Sequence, residues 1–124
     1  LLTKALLPLM IAERRGRIIH VSSVTGAQGR AGTLAYSASK TGLFGMSRVL
    51  AKEYARFGVT SNVLVLGYFE GGLIHALSND LRRSVLEQIP SHALGKVANI
   101  ANAVEFLRAS DYVNGAVINI DGGL

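Results

Sequence analysis

The chain has 124 residues, 49% of them apolar and 17% charged, with 13 Lys and Arg against 8 Asp and Glu for a net charge of +5. That balance is too apolar for a disordered chain, and the absence of Cys excludes a disulfide framework, a thiolate metal site and a Cys nucleophile, in keeping with a cytoplasmic protein. No apolar run reaches the ~18–20 residues of a membrane span, because Lys4, Glu13 and Arg14 interrupt the Leu-rich start, which also lacks the basic region of a signal peptide.

Residues 1–14 read as a helix, with Leu2, Leu6, Leu9 and Met10 at helical spacing; Pro8 inside it predicts a kink or an early stop. Gly16 breaks that pattern, and Arg17-Ile18-Ile19-His20-Val21 is a short β-branched run that reads as a buried strand. From Ser22 to Thr33 the chain is rich in Ser, Gly and small residues, so a loop is expected. Tyr36 to Phe57 reads as a long helix carrying Leu43, Met46, Leu50, Tyr54 and Phe57 on one stripe and ended by Gly58. Val59 to Leu66 is a second apolar strand, followed by a loop containing Gly67, Gly71 and Gly72. Residues 73–89 read as one or two amphipathic helices, with Leu73, Leu77, Leu81, Val85 and Ile89 apolar and a stop before Pro90. Val97 to Ala109 is a further helix, and Gly115 to Ile120 a last strand closed by Asp121-Gly122-Gly123.

Helices and apolar strands in this alternation define an α/β fold with a parallel sheet covered on both faces. Three strands make a small sheet, and the helix at 1–14 has no strand before it to cross over from. Part of the sheet is therefore expected to lie outside these residues. The charge is uneven: residues 1–62 carry nine bases and two acids, a net of +7, while the rest carries four bases and six acids, a net of −2. The bases are scattered along helices with little aromatic interleaving, which favours an anionic cofactor or an acidic partner protein over nucleic acid.

The strongest local feature is Tyr36-Ser37-Ala38-Ser39-Lys40. A Tyr and a Lys four apart at the start of a helix share one face, and an ammonium beside a phenol favours the phenolate, bringing it towards a general acid's working range. Thirteen residues earlier, at the end of a predicted strand, sits Ser23, where reactive groups of open α/β sheets collect. A hydroxyl there can hydrogen-bond the carbonyl oxygen that Tyr36 would protonate; the plainer role for such a Ser is to cap a turn.

With these motifs in place, the sequence resembles the short-chain dehydrogenases/reductases. The likeness runs through Gly16-Arg17-Ile18-Ile19-His20-Val21-Ser22-Ser23, Tyr36-Ser37-Ala38-Ser39-Lys40, Leu50-Ala51-Lys52-Glu53 and Val59-Thr60-Ser61-Asn62-Val63, then Ile100-Ala101-Asn102-Ala103-Val104, Asn114-Gly115 and Asp121-Gly122-Gly123. Within the family it is most similar to the 3-oxoacyl-[acyl-carrier-protein] reductases of fatty-acid synthesis. The resemblance implies a Rossmann-like doubly wound parallel sheet, of which residues 1–124 are the C-terminal, catalytic and substrate-facing part, without the N-terminal dinucleotide-binding half. It implies reduction of a carbonyl, on a small molecule or a carrier-bound 3-oxoacyl thioester, with NADP or NAD and NADPH favoured. Ser23 would orient the carbonyl, Tyr36 would be the general acid, and Lys40 would activate Tyr36 and bond the nicotinamide ribose. The loop after the second strand would hold the nicotinamide amide through backbone groups near Gly67 and Phe69. A homo-tetramer or dimer is implied, built on the long helix and the final strand. Alternatives are another short-chain alcohol, sugar or steroid dehydrogenase, or a catalytically silent fragment that persists through oligomer contacts.

The loop departs from the family pattern: Leu66-Gly67 stands for Pro-Gly, and Gly71 for a Thr that would touch the cofactor. No Gly-rich phosphate loop is found, since Gly26, Gly29 and Gly32 fall in a different loop, ahead of Tyr36. Residues 73–89 occupy the place of a substrate lid, hinged by Gly71-Gly72 and Pro90. Arg14, Arg15 and Arg56 are candidates to dock an acidic carrier protein. His20, inside a strand, reads as structural; His75 and His92 are unclustered, and no ligand spacing marks a metal site.

Overall fold

A computed structural model describes residues 2–71, 74 and 78–124. The elements are α1 (Leu2–Ala12), β1 (Gly16–Ser23), α2 (Val24–Gln28), α3 (Leu34–Tyr54) with a 3₁₀ turn at Ala55–Phe57, β2 (Val59–Leu66), α4 (Asn79–Gln88), α5 (Val97–Ala109) and β3 (Val117–Ile120). The three strands form one parallel sheet in the order β1-β2-β3, with Gly16 opposite Val59, Ser23 opposite Leu66 and Val63 opposite Val117. This is an α/β, Rossmann-like arrangement.

Strand alternation assigns the two faces. Ile18 of β1 and Val59 of β2 pack with Leu7 of α1 against Met10, Leu50, Tyr54 and Phe57. Further along, Val63 and Val65 join Val24, Phe44, Val117 and Leu124. On the other face Leu64 is fully buried, and Arg17 reaches over to bond the Arg108 carbonyl at the end of α5 (Nε to O 3.3 Å). Leu107 of α5 and Ile89 are sealed from solvent. β2, buried along all but its last residue, is the central strand; Val63, Leu64 and Val65 fill the core, and its polar Thr60, Ser61 and Asn62 are buried with them.

Three details depart from the sequence reading. Pro8 does not stop α1, which runs on to Ala12; it sits on the exposed side, where water can take the Lys4 carbonyl that Pro8 cannot bond. The expected loop at 22–33 contains the single-turn helix α2, started by Ser23 and buried at Val24 and Gly26. β3 begins at Val117, not Gly115, because Gly115 adopts φ 74° and the preceding chain is claimed by side-chain amides. Asn62, in β2, donates to Val113 O (2.8 Å) and accepts from Ala116 N (2.9 Å), while Asn114 accepts from Ser61 N (2.8 Å). Of the stretch read as helical at 73–89, Asn79–Gln88 is helix, and Leu73, His75, Ala76 and Leu77 lie outside the described residues.

A buried polar chain links the sheet to α3: His20 Nε2 lies 3.1 Å from Ser61 Oγ, which lies 3.0 Å from Ser47 Oγ. Burial holds the His20 imidazole below its ordinary value of 6.5, so the core keeps it neutral. A group that protonates less readily folded than unfolded gives stability that is complete above the unfolded value and is lost as pH falls below it. The melting temperature should therefore hold steady above about pH 7 and fall below about pH 6.5, and His20→Asn should flatten that fall. An identical fall in the variant would place its origin elsewhere.

Candidate active site

Ser23 ends β1 and begins α2. Its backbone is extended (φ −145°, ψ 148°), and its Oγ accepts the Thr25 N–H at 3.2 Å, as an N-cap does. Accepting that bond leaves the hydroxyl proton free to be donated outward, so capping and carbonyl binding are compatible.

α2 is fastened to the first turns of α3. Ser37 Oγ donates to Thr25 O at 3.0 Å and Thr41 Oγ1 to Gly26 O at 2.6 Å. A Cβ on Gly26 would stand 2.6 Å from the Cβ of Lys40, so the close approach of the two helices needs glycine there. Ser22, 3% exposed, faces α3 and donates to the Lys40 carbonyl at 3.0 Å. Its hydroxyl is committed to the fold, which separates it from Ser23.

These bonds set Tyr36 and Lys40, one turn apart, beside the carboxyl ends of β1 and β2. Lys40 Nζ stands 5.9 Å from the Tyr36 ring centroid, and Tyr36 is 47% exposed, open to a ligand. The ammonium also donates to Val21 O at 3.0 Å. Because Gly16 N–H bonds Gly58 O, even residues of β1 aim their backbone groups at β2 and odd ones outward. Val21 O is therefore a carbonyl of the sheet's outer edge.

The loop after β2 divides the two residues assigned to it. Gly67 N–H donates to Ile120 O at 2.9 Å, and a Cβ there would stand 2.7 Å from the Asp121 Cα, so Gly67 is fixed by the closing turn and its amide is spent. Phe69 forms an isolated parallel bridge with Gly95, using Tyr68 O and Glu70 N at 2.9 and 2.8 Å. That bridge turns the N–H and C=O of Phe69 to the opposite side, where a ligand can meet them. Gly71 has φ 101° and open space around it, a conformation that a Thr would adopt only under strain.

Arg14, Arg15 and Arg56 lie elsewhere. They border the start of β1 and β2, roughly 23 Å of strand from Ser23. Arg14 Nη2 bonds the Arg56 carbonyl at 3.0 Å, and the Arg56 guanidinium lies 4.7 Å from the Phe57 ring centroid. A carrier protein held there reaches Ser23 only through an acyl-bearing arm of that length. α4 buries none of its ten residues, as a lid would not. Among the described residues no three His, Asp or Glu side chains are grouped to hold a metal, and no helix is long and apolar enough to cross a membrane. Sequence reasoning passed over Ser37 and Thr41, whose i, i+4 spacing on the α2 side of α3 was the available signal.

The chain is a Rossmann-like α/β protein whose parallel sheet carries Ser23 at the end of β1, with Tyr36 and Lys40 one helical turn apart on α3. The family model described as enoyl-(acyl carrier protein) reductase matches residues 1–124, and the chain belongs to the short-chain dehydrogenases/reductases, an oxidoreductase family. Over 125 residues it is 42% identical to the 3-oxoacyl-[acyl-carrier-protein] reductase FabG of Escherichia coli K12, covering 99% of this chain and 51% of that protein. The namesake from Haemophilus influenzae is 38% identical over 125 residues (99% and 52%), and nodulation protein G of Azospirillum brasilense 39% over 124 (98% and 50%). The chain thus spans about half the length of these relatives.

Proposed function

We propose that the protein reduces the 3-oxo group of an acyl thioester to an alcohol, with residues 1–124 as the catalytic and substrate-facing part of one domain. The observation that carries this is the placement of Tyr36 and Lys40, one turn apart and solvent-open, at the strand ends where Ser23 keeps a free hydroxyl proton. A nicotinamide cofactor, when bound, supplies the hydride. Ser23 donates to the substrate oxygen and orients it, and Tyr36 delivers the phenolic proton to that oxygen as charge develops there. The Lys40 ammonium stabilises the phenolate that remains and offers N–H donors to a ribose hydroxyl.

The donors present fit the nicotinamide-ribose end of a dinucleotide: the Lys40 ammonium and the outward N–H of Phe69. The names of the relatives support NADPH less directly than they support the 3-oxoacyl substrate, which they print. The matching family description names an enoyl reductase; the names of the relatives favour the 3-oxo substrate, whose ketone carries at its reacting carbon the oxygen that Ser23 and Tyr36 would address. Exposed Leu34, Met46 and Val49 on α3 support a dimer or tetramer built on that helix, and the cysteine-free sequence supports a cytoplasmic location. The test follows NAD(P)H absorbance with acetoacetyl thioester and with crotonyl thioester, on the protein at its full natural length. Oxidation of NAD(P)H with the first substrate and not the second is expected; activity with crotonyl thioester alone, or with neither, rejects the reading.

A further inference from the structure

A cavity of about 350 Å³ opens beside the strand ends. Its walls come from the segment just after Ser23, from Tyr68 beyond β2, from Gln88 of α4 and from Leu124. Thr25, which lines it, is bonded through its carbonyl to Ser37, the neighbour of Tyr36, so the cavity abuts the site. It is at the small end of ligand-pocket volumes. An alkyl chain would need apolar walls, and only Val24 and Leu124 supply them. The rest of the lining side chains are polar: Thr25, Gln28, Arg30, Tyr68 and Gln88.

The charge is one-sided. Among the described residues Arg30 is the one ionic side chain that lines the cavity, and no Asp or Glu side chain does. The ion pair among the described residues is Arg108 with Glu105, far along α5, and Arg30 is paired with no Asp or Glu side chain among them. A guanidinium flanked by amide and phenol donors recognises a carboxylate, which it can hold through parallel N–H bonds. We infer that this cavity selects 3-oxoacyl thioesters whose acyl chain ends in a carboxylate, with Arg30 as the specificity-determining residue.

The inference rests on the proposed reductase reading, so its test has one arm that does not need turnover. The first arm compares kcat/KM for 3-oxoadipyl and 3-oxohexanoyl N-acetylcysteamine thioesters, which share six acyl carbons and differ at the terminal carboxylate. A preference of about fivefold for the diacid is expected, the ~1 kcal/mol ceiling of an exposed ion pair. Arg30→Gln should abolish the preference while leaving the 3-oxohexanoyl value within about twofold, and Arg30→Lys should keep part of it. The second arm titrates adipyl thioester, which has no 3-oxo group, and follows the Gln28 and Gln88 side-chain amide resonances. Shifts that vanish in Arg30→Gln are expected. If no thioester turns over but these shifts persist, the reductase reading falls and the carboxylate site stands. Preference for 3-oxohexanoyl, equal effects of Arg30→Gln on both substrates, or no amide shifts would overturn the inference.

Discussion

Tyr36→Phe is expected to lower kcat about a thousandfold, within the 10²–10⁴ that a positioned general acid contributes, and to leave the melting temperature unchanged. The second half of that expectation follows from the fold: Tyr36 is about half exposed and its hydroxyl supports no described bond, so removing one oxygen strands no buried partner. Ser23→Ala separates differently. It removes the proposed carbonyl donor and also the cap of α2, so a loss of about 1 kcal/mol of stability should accompany the loss of turnover. Ser23→Thr keeps both the cap and the donor, and should recover stability and part of the rate. Turnover in Tyr36→Phe equal to wild type would refute the general-acid role, whatever the other variants do.

Gly58→Ala should be the most damaging small substitution outside the site. Gly58 holds φ 72°, where an L side chain costs about 1–2 kcal/mol, and its new Cβ would run into the backbone carbonyl of Arg14. Both partners are fixed, since Gly58 O accepts the Gly16 N–H that starts the β1–β2 ladder. Roughly 3 kcal/mol should be lost, or about 12 °C of melting temperature at ~4 °C per kcal/mol for a chain of this size. Gly42→Ala is the matched control: it lies inside α3 with nothing within 4 Å of its absent Cβ, and should be neutral or stabilising by up to about 1 kcal/mol. Equal melting temperatures for the two variants would contradict the register drawn for this corner.

What could be read from the sequence was what local patterns govern. β2 was legible to the residue because its β-branched and apolar residues lie between two glycines, Gly58 and Gly67, and α5 because its ends coincide with the limits of its apolar stripe. Tyr36 and Lys40 were legible because one helical turn relates them without help from the rest of the chain. Ser22 and Ser23 look alike in sequence; strand alternation turns the first inward to Lys40 O and leaves the second at the helix start. The start of β3 was misread because its cause is remote: the Asn62 amide, more than fifty residues away, takes the Val113 carbonyl and the Ala116 N–H. Gly67 reads as a ligand-binding glycine, and only the remote β3 shows that its N–H is bonded to Ile120 O and that Asp121 leaves no room for a Cβ.

The bond from Lys40 to Val21 O ties the side chain proposed to activate Tyr36 to the backbone of β1. Val21 O belongs to the row of outward groups on β1, the row that any further strand on that side must engage. Lys40 Nζ and the β1 backbone are thus one mechanical unit: a substitution that displaces the end of β1 would carry the ammonium with it.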